Sequence, residues 1–428
     1  MAPLELYVLT FNCARNLVIP HVLAPHLFNA LPHDKPLPDI IALSLQEVAP
    51  IAYAFLGGSL LTPYFNRIIH TLVAAVQFRE AEAELRYQLV VARNVGLTAL
   101  MVFAKPDVTK HIRWLHTAGV GVGLWEMGNK GAVGVRLGLS SDEDSQEEME
   151  LTFVSAHFAP FEGRLLRRNQ DWENIVRRLV FSGDEGTKRI IRQGREGDDT
   201  QPLLLNAAEE GVLDGLFKTG NHIFFAGDLN YRTSNKRPGP SDYLSFPQPA
   251  TADSKWLQRD QLSQERNAKR TLHGLEELPI SFPPTYKYLH TNSGKSVQRV
   301  VNSIGLDGTE QEHWGWSRYR YPSWCDRILF VPSDGLQPHI YVSLPVLPTS
   351  DHRPVALSVT LPAKSAGNIF EAPFPISPDW CSRRASARRR EVVVGLLAYL
   401  PLTREGNSIL VGLVAGALVG WFLIKSLI

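Results

Sequence analysis

The chain reads as an α/β protein in which two mixed β-sheets pack face to face between helices, a four-layer sandwich, with one further apolar helix at the carboxyl end. Three observations predict this class. Nine segments of residues 1–362 are rich in β-branched or aromatic residues. Several of these are continuous apolar runs, as in sheets covered on both faces. Helical patterns lie between them, which favours sheets flanked by helices.

In chain order, LELYVLTF (4–11) and IIALSL (40–45) read as the first strands, and YQLVVARNVGLTALMVFA (87–104) as a long β segment. KGAVGVRLGL (130–139), ELTFVSAHF (150–158), HIFFAGDL (222–229), RILFV (327–331), HIYVSL (339–344) and VALSVTL (355–361) complete the set. Helices are predicted over 60–78, 164–180, around 203–216 and over 252–262. The acidic run 142–150 reads as a solvated loop, and 182–202, rich in Gly, Asp and Arg, as a surface insertion. The expected division is a body at 1–362, a linker at 363–408 and a carboxyl-terminal segment at 409–428. Pro373, Pro375 and Pro378 argue against a regular element over 363–391.

Of 428 residues, 44% are hydrophobic and 20% charged, which is ordinary for a globular protein. The net charge of +1 hides an asymmetry: eight Lys/Arg against four Asp/Glu from residue 363 onward leave 36 against 39 before it. A slightly acidic body argues against a protein that grips nucleic acid through a broad basic surface. Cys13, Cys325 and Cys381 are too few and scattered for a disulfide framework or a zinc site. The start, MAPLELYVLTF, lacks a basic n-region and reads as a strand, so the body is expected in the cytosol.

Sixteen residues from Ile409 to Ile424 carry no charge. As a helix they would cover roughly 24 Å, short for a typical bilayer but close to the thinner endoplasmic reticulum membrane of about 27 Å. Lys425 extends the usable span by snorkelling. Upstream, SRRASARRR carries five arginines, the excess expected on a cytosolic flank and a source of attraction to anionic lipid. The expectation is a single transmembrane anchor with the body facing the cytosol. VVVGLLAYLPL (392–402) contains Pro401 and is expected at the interface. Gly412, Gly416 and Gly420 recur on one face, which would suit weak dimerisation through the transmembrane helix.

Polar groups at strand ends are the candidate site: Asn12, Glu47, His157, Asp228, Asn230, Asp326, Asp351 and His352. Glu47 follows an apolar strand, where a carboxylate needs a cation. Hard divalent ions such as Mg²⁺ take oxygen ligands and keep several waters, so one or two carboxylates suffice. Asp228 and Asn230 share a face of one turn; there a carboxylate would orient a water while an amide meets a phosphoryl oxygen. In Asp351-His352 a carboxylate bonded to an imidazole, whether its neighbour or another, would favour the charged ring. Any one of these residues alone has a plain structural explanation as a turn residue, a core histidine or an ion-pair partner; their joint appearance favours a site. TNSGKS (291–296) is not a phosphate loop, because Leu289 stands where the required glycine would be.

These motifs resemble the inositol-polyphosphate 5-phosphatases, a branch of the endonuclease/exonuclease/phosphatase superfamily with the DNase I-like fold. The resemblance is carried by FFAGDLNYR (224–232), with Phe225 in place of the usual Trp, and RYPSWCDRIL (320–329). TFNCA (10–14), LQEV (45–48), MGNKGAVGVRL (127–137), SAHFAPFEGRLLRRNQDW (155–172), FPPTYKY (282–288) and TSDHRPV (349–355) extend it over most of the body. It implies Glu47 as principal Mg²⁺ ligand with Asn12 beside it, Asp228 activating water, and Asn230 on the scissile 5-phosphate. His157 and His352, with Asp351 adjacent, would donate to phosphate oxygens. Tyr286, Lys287, Arg318 and Arg320 would hold a 4-phosphate, Lys130 would face the inositol phosphates, and Asp326 and Arg327 would stand behind the reacting groups. One departure is Phe161, where many members have a second histidine.

The resemblance implies Mg²⁺-dependent conversion of phosphatidylinositol 4,5-bisphosphate to phosphatidylinositol 4-phosphate by direct in-line water attack. The short, Gly-rich tail is similar to that of fungal members attached to the endoplasmic reticulum. The alternatives are a soluble inositol 1,4,5-trisphosphate 5-phosphatase, a nuclease of the same fold, and a non-catalytic membrane tether that binds phosphoinositides.

Overall fold

Alternate residues of the first strand, β1 (Leu4–Asn12), belong to two different cores. Leu6 and Val8 face the space between two sheets, while Tyr7, Leu9 and Phe11 face a helical layer. Successive side chains of an extended chain point to opposite faces, so a strand covered on both sides is apolar throughout. The structure, a computed structural model, describes residues 2–80, 87–140, 148–183, 214–249, 251–290, 301–304, 310–367 and 371–427.

In the first sheet β1 pairs in parallel with β2 (Ile40–Gln46). Beyond β2 lie β4 (Thr98–Ala104) and β3 (Gln88–Val95); on the other side lie β15 (Val355–Leu361) and β14 (Gln337–Ser343). The second sheet runs β13 (Asp326–Phe330), β9 (Asn221–Asp228), β7 (Met149–His157), β6 (Gly131–Leu139), β5 (Ile112–Gly121) and β8 (Ser182–Gly183). Here β7 and β9 are the parallel pair. A small sheet of β10 (Tyr288–His290), β12 (Glu310–Trp316) and β11 (Val301–Ile304) stands apart.

The sheets meet through Leu6, Val8, Ala42 and Val102 on one side and Val135, Phe153, Phe224 and Ile328 on the other. Full burial of each larger side chain contributes about 1.5–3 kcal/mol. The helix Thr62–Arg79 lays Ile68, Leu72, Ala75 and Val76, spaced for one helical face, on the outside of the first sheet. Helix Leu165–Arg178 does the same on the second sheet with Trp172, Ile175 and Val176. Helix, sheet, sheet and helix make the four layers.

Several elements differ from expectation. The segment 87–104 is a hairpin, β3 and β4, turning at Gly96, whose φ of 53° is left-handed. The single helix expected over 252–262 is two, Ser254–Leu257 and Gln261–Asn267, because Asp253 and Asp260 each cap a new start: their carboxylates accept from Trp256 N and Ser263 N at 2.9 Å. Strand β5 was not foreseen; its glycines, histidine and threonine dilute the apolar pattern. Most of the helix expected around 203–216, most of the insertion at 182–202, TNSGKS and most of the acidic run 142–150 lie outside the described residues.

The linker expectation is corrected from residue 380 onward. Trp380–Leu402 is a helix, and it docks on the body with Ala387, Glu391 and Gly395 buried. The three prolines precede it, so they limit regular structure only up to its start, while Arg, Ala and Leu after them are good helix formers. Pro401 lies one residue from its end. Three of the five arginines expected to meet lipid are engaged by the body: Arg383 pairs with Glu126 at 3.1 Å, Arg388 donates to the Phe55 and Leu56 carbonyls, and Arg390 donates to the Trp125 carbonyl. A second helix, Arg404–Leu427, follows. Its stretch Arg404–Ser426 is long and apolar enough to cross a membrane, and the apolar part is not buried by the rest of the chain.

Candidate active site

Strand register gathers the site. Asn12 ends β1 opposite Gln46, which ends β2; His157 ends β7 opposite Asp228, which ends β9; and Asp228 faces Asp326, the first residue of β13. Five strand ends from two sheets therefore meet at one edge. Glu47 and Asn230, just past their strands, hold left-handed φ of 47° and 59°. Such values are uncommon outside glycine and cluster where function constrains the backbone.

Asp228 is the hub. Its fully buried carboxylate accepts from Asn12 Nδ2 at 2.9 Å and Asn230 N–H at 3.1 Å, and lies 3.2 Å from His157 Nε2. His352 Nε2 is 4.0 Å away. Burial pushes the Asp228 pKa up, but His352, His157 and Lys130 outweigh it and hold the carboxyl well below its usual range. A group so held is ionised at neutral pH and can accept hydrogen bonds. His157 is pulled down by burial and by Lys130, so it is a neutral imidazole.

His352 takes its carboxylate partner from Asp326 rather than from its neighbour Asp351. Its Nδ1 lies 2.8 Å from Asp326 Oδ2, which also accepts from Thr285 Oγ1 at 2.7 Å. Burial opposes a charged imidazole, yet Asp326 and Asp228 outweigh it and raise the His352 pKa. Ser350 ties this half to the other sheet: it donates to the Asn12 carbonyl at 2.6 Å and accepts from His352 N–H at 3.0 Å. Asp351 instead pairs with Lys287, and both are shifted toward their charged forms against the effect of burial.

Lys130, in the turn before β6, brings its ammonium to His157 and, at 3.7 Å, to Glu47. Burial lowers its pKa, partly offset by Glu47 and Asp228. Tyr286 packs against His352 at 4.5 Å between ring centroids, the rings tilted by 41°. Arg320 lies 3.6 Å from the buried carboxylate of Glu162 and over the Phe161 ring, in the position where a second histidine was looked for. Arg318 lies over the Tyr243 ring, 4.2 Å from its centroid. Arg327 also points away from the cluster, as the strand alternation after Asp326 requires: it binds Glu277 through two bonds of 2.6 and 2.7 Å and Asp260 at 2.9 Å. It braces the wall and does not touch the Asp228 group.

Two residues inside quoted motifs and one directly after a third were given no role by sequence reasoning. Arg232 donates to the Asn230 side chain and lies 4.4 Å over the Tyr286 ring, so it aims both. Thr285 holds Asp326. Arg15 meets Glu47 at 3.1 Å. Their membership in GDLNYR, PTYKY and TFNCA plus one residue was the available signal.

The donor set fits a hard divalent cation. Asp228, Asp326 and His352 place one ligand atom each within 4.8 Å of one another, and Asp326 Oδ1 is buried without a hydrogen-bond partner among the described residues. Glu47 offers a second place, a carboxylate whose oxygens meet, among the described residues, the cationic groups Arg15 and Lys130. Carboxylate oxygens are the ligands such ions select.

Residues 9–358 match the model of endonuclease/exonuclease/phosphatase family 2. Among curated proteins, type I inositol polyphosphate 5-phosphatase 8 of Arabidopsis thaliana is 31% identical over 66% of this chain and 49% of its own length. Type II inositol polyphosphate 5-phosphatase 15 of the same plant is 29% identical over 56% of this chain and 20% of its own. Phosphatidylinositol 3,4,5-trisphosphate 5-phosphatase 2B of Danio rerio is 27% identical over 70% and 20%. The chain thus spans half or less of the length of these relatives. The solved inositol polyphosphate 5-phosphatase domain of SPsynaptojanin, in complex with inositol (1,4)-bisphosphate and calcium, shares the fold with a TM-score of 0.57 at 20% identity, covering 91% of this chain and 90% of that one. Two packed sheets with flanking helices are thus the DNase I-like fold, and the chain belongs to endonuclease/exonuclease/phosphatase family 2, where the relatives it matches are inositol polyphosphate 5-phosphatases.

Proposed function

We propose that the chain is a Mg²⁺-dependent phosphoinositide 5-phosphatase that converts phosphatidylinositol 4,5-bisphosphate to phosphatidylinositol 4-phosphate at a membrane surface. The observation that carries this is the buried Asp228 carboxylate, ionised and ringed by Asn12, Asn230, His157 and His352 at the edge where both sheets end. Asp228 orients a water and accepts its proton as the water attacks phosphorus in line with the departing inositol oxygen. Asn230, aimed by Arg232, and the two histidines donate to phosphoryl oxygens, preorganised charge complementarity of the kind that dominates such catalysis. Glu47 and Asn12 would hold the ion, which when bound supplies positive charge at the phosphate and acidifies a water. Lys130, Tyr286, Lys287, Arg318 and Arg320 read the phosphates that stay.

The exposed apolar helix supports a lipid substrate, since it would confine the site to a bilayer. On this reading the helix is a carboxyl-terminal anchor in the endoplasmic reticulum membrane with the body in the cytosol, its glycine face suits weak dimerisation, and no nucleic acid is a substrate.

The test uses the detergent-solubilised full chain with Mg²⁺. Phosphate release is measured from short-chain phosphatidylinositol 4,5-bisphosphate and inositol 1,4,5-trisphosphate, beside plasmid nicking. Release from the lipid is expected, lost on chelation, and lowered about 10²–10⁴-fold by Asp228→Ala. Undiminished release in that variant would sink the mechanism. Release from the soluble trisphosphate alone would move the substrate, and nicking alone would make the protein a nuclease.

A further inference from the structure

The helix Trp380–Leu402 carries one buried acid, Glu391, on an element whose other charges are largely exposed. A buried carboxylate is costly unless paired and hydrogen-bonded. Glu391 has both. Arg384 and Arg388 of its own helix lie 3.5 and 3.4 Å from its oxygens, and Oε1 accepts from the backbone N–H of Gly128 at 2.8 Å. Gly128 stands two residues before Lys130.

That bond is the first of a series that reaches the site. Gly128 O accepts from Leu97 N–H at 2.9 Å, and Leu97 O accepts from Val48 N–H at 3.1 Å, directly after Glu47. The approach is so close that a Cβ on Gly128 would lie 2.7 Å from the Gly96 nitrogen. The helix grips the neighbouring segments as well. Arg388 donates to the carbonyls of Phe55 and Leu56 at the end of helix Ile51–Leu56, and Arg390 to Trp125 O at 2.9 Å.

We propose that Glu391 is a positioning residue: through Gly128 it orders the turn that presents Lys130, so the juxtamembrane helix is a working part of the site. This rests on the 5-phosphatase reading only for its effect on turnover. Side-chain length, not charge, is decisive, because the carboxylate oxygen must reach Gly128. Glu391→Gln keeps an acceptor at that distance and removes the charge. Glu391→Asp keeps the charge for both arginines and withdraws the acceptor by one methylene.

Hydrogen exchange of residues 121–131 is measured in the full-length protein and both variants, with 337–361 as a distant reference and thermal unfolding as a check on folding. Exchange over 121–131 should rise about tenfold in Glu391→Asp and stay near wild type in Glu391→Gln, while the reference segment is unchanged; about tenfold corresponds to one lost hydrogen bond. The KM for the inositol substrate should rise in Glu391→Asp, and this rise should vanish on a Lys130→Ala background, as for two residues acting through one. A buried charge with only a structural role gives the reverse order, the glutamine variant worse than the aspartate. That order, or wild-type exchange in Glu391→Asp, overturns the proposal. If the wild-type protein releases no phosphate, the 5-phosphatase reading fails, while the exchange comparison still decides the role of Glu391.

Discussion

Thr285 shows how much one hydroxyl holds at this site. Its oxygen donates to Asp326 Oδ2 and accepts from the N–H groups of Cys325 and Asp326 at 3.1 and 3.2 Å. Thr285→Val removes all three partners without changing shape, so it should cost about 1–3 kcal/mol of stability in chemical denaturation. Because Asp326 holds the His352 ring, phosphate release should fall about tenfold further than loss of folded protein explains. Thr285→Ser should restore both. Equal losses in the serine and valine variants would argue that the methyl, not the hydroxyl, matters.

At the scale of elements, β13 divides its two leading residues between tasks. Asp326 faces the site, and Arg327, on the other face, neutralises Asp260 and Glu277 where all three are buried. Arg327→Met takes the cation from buried Asp260 and leaves Glu277 with Arg266 alone, 3.5 Å away, which should cost about 3–5 kcal/mol; a stability loss under 1 kcal/mol by urea unfolding (about the worth of an exposed pair) would show that water reaches them. The start of β9 supplies a pH handle away from the site. His222 is buried between Ser333 Oγ and Lys364 O, and burial lowers its pKa from 6.5, partly offset by the Lys364 carbonyl. The folded state then binds fewer protons than the unfolded state just below pH 6.5. Stability should therefore decline as pH falls from 6.5 toward the lower folded value, by at most about 1.4 kcal/mol per pH unit. Thermal unfolding between pH 8 and 5 should fall less steeply in His222→Gln.

For the whole molecule, the two carboxyl-terminal helices have separate partners. Trp380–Leu402 is docked on the body, whereas the apolar stretch of Arg404–Ser426 is not buried by it. Deleting 405–428 should free the protein from membranes in a flotation assay while leaving Glu391 on Gly128 and hydrolysis of short-chain substrate intact. Retention on vesicles after the deletion would assign membrane binding to the body or to the exposed arginines. A cut at 362 should cost more than the anchor, since it strips the docked helix from the turn that bears Lys130.

Local chemistry was legible in the chain itself. Strands apolar on both faces announced layered sheets, and polar residues placed just past them announced a site, because periodicity and the cost of burying polar groups act over a few residues. Asn12, Glu47, His157, Asp228, Asn230 and His352 could be picked out for that reason. Pairing was not legible. His352 is bound by Asp326, 26 positions away, and not by adjacent Asp351; Arg327 turns from the site because of strand alternation; and a segment that reads as a linker plants Glu391 on Gly128, 263 positions away. Which charges meet is set by sheet register and docking, and those follow from the packing of the entire chain rather than from any stretch of it.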